Sequence, residues 1–441
     1  MHTITVKFGG TSLASASQIR KAAEIIQADP ARRFVVASAP GKRTKDDIKV
    51  TDLLYRCYNE AMDGDDFSAT LEKIRGRFQD IITELEVSFD LDTEIEKLRE
   101  HLKTAPNADY MASRGEYLNS KIIAAFLGFP FVDAAEVVRF RADGKLDEAY
   151  TFRTLSARLI AMDNAVIPGF YGALPDGTVK TFSRGGSDVT GAIVARASVS
   201  EIYENWTDVS GMLSADPRIV DNPRVIDYIT YTELRELSYM GASVLHEDAV
   251  FPVRKAGIPI NIRNTNRPDD PGTMIVASLP ASVGRRVITG IAGKKGFSSI
   301  HIEKSMMNSE VGFVAKLLKI FASCGLSFEH CPSGIDTISV VINTDSFNPH
   351  REEILHRIRT DLEPDVVSVE DNLALIAVVG QGMVYSKGTA ARVFNALYEA
   401  DVNIRMIDQG SSELNIIVSV EERDFEHALK SIYSAMEGLM K

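Results

Sequence analysis

Thr3-Ile4-Thr5-Val6-Lys7-Phe8-Gly9-Gly10-Thr11-Ser12 opens the chain, and the fold is decided by how this stretch ends. Residues 3–8 alternate loosely, as a strand does, and two glycines stop them. Beyond the glycines, Ile19, Ala22, Ala23, Ile25 and Ile26 form an apolar stripe of helical period, with Ser17 placed to cap it. Residues 33–39, RFVVASA, read as a buried strand. A β-α-β opening implies an α/β fold with a mainly parallel sheet between helix layers. A second glycine pair stands far away, in Ser183-Arg184-Gly185-Gly186-Ser187-Asp188, again ahead of a helical stretch. Helix N-termini attract anions, and glycines let a phosphate approach the backbone closely. Two such loops point to a site that moves a phosphoryl group.

The chain has 441 residues, more than one typical core accommodates. Its 45% apolar and 25% charged content is ordinary for a globular protein. A net charge of −12 argues against nucleic acid or an anionic membrane as a main partner. The best apolar run, residues 122–132, contains Gly128 and Pro130 and reads as core rather than as a membrane span. The chain enters a strand at once, with no signal-peptide pattern. Cys57, Cys324 and Cys331 show no metal-ligand spacing and suit free thiols in a reducing cytoplasm.

Residues 51–105 interrupt the alternation of strands and helices. They begin at Thr51, placed to cap a helix, and read as a helical insertion. A helix around 113–127 follows, then strands near Phe131, Val137, Val166, Val179, Ile202 and Ile260. Near residue 285 the organisation changes. Strand, helix and strand recur as 288–302, 311–324 and 338–342, and then as 373–379, 389–399 and 414–420. Two small tandem modules account for this.

Lys7 stands at a strand end beside Gly9 and Gly10, where it can neutralise a transferring phosphoryl group. A surface lysine before a tight turn is the plainer alternative. The loop is neither a Walker A loop nor a Rossmann fingerprint. Arg184 can fork onto a carboxylate, and Asp188 can orient a lysine or hold an ammonium. Asp188 would equally suit a first helical turn. Glu116, in Ser113-Arg114-Gly115-Glu116, is a candidate for a substrate ammonium. Thr207 and Asp208, ahead of Gly211, suit a nucleotide at a strand's C-terminal edge. Arg218 offers a phosphate contact, although an exposed turn is as natural. His246 has no partner at metal spacing, and magnesium would come with the nucleotide.

Taken together, KFGGTS, SRGE, SRGGSD, TDVSGMLSADPR and ELSYMGASVLH resemble aspartokinase, of the amino-acid kinase superfamily, over nearly the whole chain. The resemblance implies an amino-acid kinase domain at 1–285 with a helical insertion at about 55–105. Two ferredoxin-like βαββαβ ACT modules would follow at 286–365 and 366–441, with the last strand available to complete the first module. No dehydrogenase half follows, so the likeness is to the monofunctional enzyme. It implies transfer of the ATP γ-phosphoryl group to the β-carboxylate of L-aspartate, with Mg2+, as the first step toward lysine, threonine and methionine.

Matched residue by residue, Lys7 and Asp188 become catalytic. Ser38, Thr51, Glu116 and Arg184 would bind aspartate. Gly9, Gly10, Thr11, Ser12, Thr207, Asp208 and Arg218, with Lys7, would bind the nucleotide. Two positions depart from the family pattern: Leu213 replaces a tyrosine, and Ser243 a lysine that helps hold ATP phosphates. Asn308, Val311, Gly312, Phe313 and Glu329 match the positions where lysine-sensitive relatives hold their inhibitor at an ACT interface. A homodimer or homotetramer through the ACT modules is implied. The alternatives are a kinase for another amino acid and a non-catalytic sensor on a degenerate kinase.

Overall fold

The computed structural model describes residues 2–183, 185–242, 245, 247–281, 283 and 286–440, with only the backbone of 247–249. The chain divides into two units. The first comprises residues 1–212, 225–234 and 244–283, and the second residues 213–224, 235–243 and 284–441.

The strands of the first unit are β1 (Ile4–Phe8), β2 (Arg32–Ala37), β3 (Ala165–Pro168), β4 (Tyr171–Ala173), β5 (Val179–Thr181), β6 (Ile202–Thr207), β7 (Tyr228–Thr230), β8 (Ile260–Asn264) and β9 (Thr273–Val276). Seven of them form one sheet in the order β3-β2-β1-β6-β8-β9-β7, parallel except between β8 and β9. β4 and β5 make a separate antiparallel hairpin. The helices are α1 (Ala16–Gln27), α2 (Val50–Asp63), α3 (Ser68–Leu85), α4 (Leu91–Thr104), α5 (Ala108–Leu127), α6 (Ala134–Val137), α7 (Glu148–Ile160), α8 (Gly186–Ala197), α9 (Tyr231–Tyr239), which runs into the second unit, and α10 (Glu247–Ala256).

Local rules explain the starts. Ser15, not Ser17, caps α1, its hydroxyl accepting from Gln18 N at 3.4 Å. Lys49 is the N-cap residue of α2, so Thr51 sits inside the first turn instead of capping it. Val137, expected in a strand, ends a short helix because the Asp133 carboxylate accepts from Ala135 N and starts a turn there. The insertion, α2 to α4, adds Leu54, Phe78 and Leu98 to the core that also takes Val6, Phe8 and Val35. Full burial of each such side chain is worth about 1.5–3 kcal/mol. Among the described residues, no helix is long and apolar enough to cross a membrane.

The second unit holds β10 (Gly290–Glu303), β11 (Thr337–Asn343), β12 (Val366–Val379), β13 (Met406–Asp408) and β14 (Asn415–Glu421) in one antiparallel sheet, ordered β11-β10-β12-β14-β13. Its helices are α11 (Phe313–Ser323), α12 (Thr344–Phe347), α13 (Arg351–Leu362), α14 (Thr389–Glu399) and α15 (Phe425–Met436). β10 and β12 pair along their whole length and each serves two cores. Residues 297–303 and 366–373 pack with α11, β11 and α13 around Ile300, Phe313 and Ile338. Residues 288–295 and 374–379 pack with α14, β14 and α15 around Ile288, Ile376 and Phe425. The strand exchange expected at the chain's end therefore lies at the start of this region. β14 stays with the second core, and residues 290–295 supply that module's outer strand. The repeat is visible in detail, since Gly312 and Gly388 cap α11 and α14 with φ of 86° and 84°.

Candidate active site

On β1, Val6 and Phe8 enter the apolar core, and Lys7 points to the opposite face, where α8 packs. Lys7 is 7% exposed, so its ammonium needs partners inside the protein. Its Nζ lies 2.6 Å from Asp188 Oδ1 and donates to Asn205 Oδ1 at 3.4 Å. Asp188 stands in the first turn of α8, behind Gly185 in the left-handed region at φ 56°. The two distant glycine loops of the sequence thus meet at the C-terminal edge of the parallel strands, where α/β folds bind ligands.

The loop after β1 lies against the loop after β2. Gly41 N donates to Gly10 O at 2.8 Å, and a Cβ on Gly41 would stand 2.6 Å from the Gly10 carbonyl carbon. Gly9 N is bonded to Trp206 O and Ser12 N to Gly9 O, while Gly10 N and Thr11 N find no backbone partner among the described residues. Ser12 is buried, its hydroxyl accepting from Thr265 Oγ1 at 2.8 Å; Thr11 is exposed. Thr207 ends β6 one position past Trp206 and donates to the exposed Asp208 at 3.2 Å.

Glu116, on α5, is 5% exposed. Burial pushes its pKa up to about 8, against the opposing pull of the Ala39 backbone N–H, Arg114 and Lys7. Its Oε2 has no hydrogen-bond partner among the described residues. Ser38 lies beside it, 9% exposed, with its carbonyl accepting from Asn119 Nδ2 at 2.8 Å. Thr51 is half-buried in α2, whose first residue, Val50, is tied to the same loop through Pro40 O at 3.3 Å. Arg114 is stacked on Tyr110, Tyr117 and Tyr171 at 4.5, 4.2 and 5.3 Å. A cleft of about 820 Å³ opens beside Thr181, Phe182 and Ser183 and reaches Tyr55 and Asp109. The Tyr55 hydroxyl is raised by burial first, and then by the charges of Asp109 and Glu116.

Lys7, Asp188, Glu116, Ser38 and the Gly9–Gly10 loop are therefore assembled at one edge. Arg184, Ser243 and His246 lie outside the described residues. Arg218 and Leu213 belong to the second unit, where the Arg218 guanidinium is exposed and paired with Asp216 at 2.6 Å in its own turn. Asn205 was not singled out from sequence, although an amide inside the buried run IYENWT marks it.

Among the effector positions, Asn308, Val311 and Gly312 are exposed. Phe313 differs: its ring is in the module core and its N–H is bonded to Glu310 O, so it serves packing. Glu329 accepts from the Tyr239 hydroxyl. The cysteines are free, and Cys324, His350 and Glu353 place ligand atoms within 4.8 Å of one another, an approach that sequence spacing did not reveal.

Comparison with known proteins extends this picture. The Amino acid kinase family description matches residues 2–264, and an ACT domain description matches residues 376–436. Aspartokinase 3 of Bacillus subtilis is 41% identical, over 97% of this chain and 97% of its own. The crystal structure of Clostridium acetobutylicum aspartate kinase superimposes with a TM-score of 0.89 at 48% identity, covering 99% of this chain and all of that one. E. coli aspartokinase III, solved with aspartate and ADP, shares the fold at 24% identity, with a TM-score of 0.78 over 99% of this chain and all of its own.

Proposed function

The chain belongs to the aspartokinase family and is an aspartate kinase, and from that premise we propose how its residues divide the work. The enzyme transfers the γ-phosphoryl group of ATP to the β-carboxylate of L-aspartate, giving 4-phospho-L-aspartate and ADP. An aspartate carboxylate is ionised at pH 7, so no general base is needed. A carboxylate oxygen attacks the γ-phosphorus, the new P–O bond forms, and the bond to the β-phosphate oxygen breaks. Catalysis then consists of alignment and charge neutralisation.

Lys7 faces the phosphoryl group, with the Gly10 and Thr11 N–H groups holding its oxygens. Asp188 and Asn205 fix the lysine. Glu116, whose Oε2 has no hydrogen-bond partner among the described residues, receives the substrate ammonium, and Ser38, Thr51 and Arg184 complete the aspartate pocket. Thr207 and Asp208 belong to the nucleotide side. The observation that carries this reading is the Lys7–Asp188 contact of 2.6 Å at the sheet edge.

Magnesium would arrive on the phosphates of ATP, beside Lys7 and the loop after β1. When bound, it supplies further positive charge there.

Regulation by lysine at the first module is part of the proposal. Gly312 opens a helix four residues after the exposed Asn308, so N–H groups and an amide are at hand for an amino acid; Glu329, whose carboxylate accepts from the Tyr239 hydroxyl, is the carboxylate assigned to its ammonium. E. coli aspartokinase III has been solved with lysine and aspartate. The same face exposes Val311 at 96%, Ile335 at 70% and Met306 at 71%, which suits a second copy of the chain in a homodimer or homotetramer. ADP release that requires aspartate and stops with Lys7→Ala supports the assignment. Release independent of aspartate, or persisting in that variant, contradicts it.

A further inference from the structure

Asn205 sits in the middle of β6, 4% exposed, in a position where a buried parallel strand ordinarily places an apolar side chain. Strand register explains its reach: Lys7 of β1 is paired with Asn205, so the two side chains stand abreast on one face. Its Oδ1 accepts from Lys7 Nζ at 3.4 Å, and its Nδ2 donates to Asp188 Oδ1 at 2.9 Å. Asp188 Oδ1 thus receives both the ammonium at 2.6 Å and the amide at 2.9 Å. The opposite amide orientation would set an N–H against the ammonium and an oxygen against the carboxylate, so the two charges fix which way Asn205 points.

We propose that Asn205 is a positioning residue for phosphoryl transfer, fixing the direction of the Lys7–Asp188 pair so that the ammonium keeps one proton for the incoming phosphate. The proposal rests on Lys7 being the phosphate-facing amine. Asp188 and Asn205 take two of the three ammonium protons. The third is left on the side of the loop after β1, where a Cβ on Gly9 would lie 3.6 Å from Nζ. Without the amide, Asp188 Oδ1 loses its second donor and Lys7 its second acceptor, so the pair can turn and carry the ammonium off the line to the phosphate. The charged groups that bear on Asn205, among the described residues, are Lys7 from β1, Asp188 from α8 and, through Lys7, Glu116 from α5. Glu204, next to it on β6, is engaged on the other face by Arg32 and Arg263.

Two variants of the full chain test this. Asn205→Leu has similar size and removes both hydrogen bonds. Its kcat should fall about 10- to 100-fold, less than the roughly 100- to 1000-fold lost with a donor that touches the reacting group itself, with KM for aspartate and ATP within about threefold. Asn205→Asp sets a second carboxylate against Asp188, which raises the affinity of the pair for a proton. Once protonated, the new acid can donate to Asp188 and accept from Lys7, as the amide does. The activity of Asn205→Asp relative to the parent should therefore rise about tenfold from pH 8.5 to pH 6, a rescue that a purely structural role does not produce. Lys7→Met serves as the reference. If Lys7→Met is inactive while Asn205→Leu keeps its kcat within about twofold, or Asn205→Asp tracks the parent profile, the inference fails. If Lys7→Met is active, the reading of the site fails instead.

Discussion

The kinase edge and the proposed effector loop of the first module are built on opposite plans. Around Lys7 the polar groups are buried, with Lys7, Asn205, Glu116 and Ser38 each under 10% exposed, and Lys7, Asn205 and Asp188 are bonded to one another. Around Gly312 the chain is open: Asn308 and Val311 face solvent, and α11 starts from a left-handed glycine. Burying charge is costly unless the geometry is held, and that is the condition under which fixed charge stabilises a transition state. An exposed loop has little packing to lose, so a small ligand can shift its equilibrium. On the proposed reading, chemistry is placed where packing holds the groups and control where the chain is open.

Glu116→Gln strikes the buried side of this contrast hardest. The aspartate KM should rise about 100-fold, the scale of a lost charge-assisted contact, with the ATP KM little changed. An unchanged aspartate KM would separate Glu116 from the substrate. The same carboxyl carries a pH signature. With its pKa raised to about 8, the folded protein holds more protons than the unfolded chain between the ordinary value of 4.5 and about 8. Glu116 therefore contributes a stability that falls as pH rises through that window, so Glu116→Gln should gain Tm relative to the parent at pH 9 and not at pH 4. Aspartate binding needs the ionised form, so its apparent affinity should improve as pH climbs from 6.5 to 8. A flat KM profile over that range argues against a neutral Glu116 in the free enzyme.

Gly312→Val probes the open side. A β-branched residue at a φ of 86° is strained, and the lysine inhibition midpoint should move at least about tenfold, normalised to the variant's own uninhibited rate. Flat lysine curves in the parent chain would remove the comparison altogether. The smallest effect is expected away from both regions. Ser15→Ala loses the cap of α1 and should cost about 1 kcal/mol in urea unfolding without changing aspartate KM. A change in KM there would show that the edge is less rigid than its burial implies.

What sequence disclosed followed range. The glycine loops at Gly9–Gly10 and Gly185–Gly186 are local signals, and the structure brings their neighbours Lys7 and Asp188 together as their chemistry suggested. The parallel sheet and the insertion helices were legible from period and stripe. Asn205 was missed because its meaning depends on the register of β1 with β6, which joins residues nearly two hundred positions apart. The division between the two modules depends on the same kind of distance, since residues 290–295 declare their partners only by pairing with 374–379. Val137 misled by composition: an apolar β-branched pair reads as strand, while the Asp133 carboxylate had already set a turn.

Single-turnover transfer tests the central claim most directly. Parent enzyme and Lys7→Met, each checked for native circular dichroism, are mixed with ATP, magnesium and aspartate, and the acyl phosphate is trapped as its hydroxamate. A burst in the parent and a rate at least about a thousandfold lower in the variant is the predicted result. Equal bursts in both would contradict the claim that the buried lysine at the edge of the sheet carries the transfer.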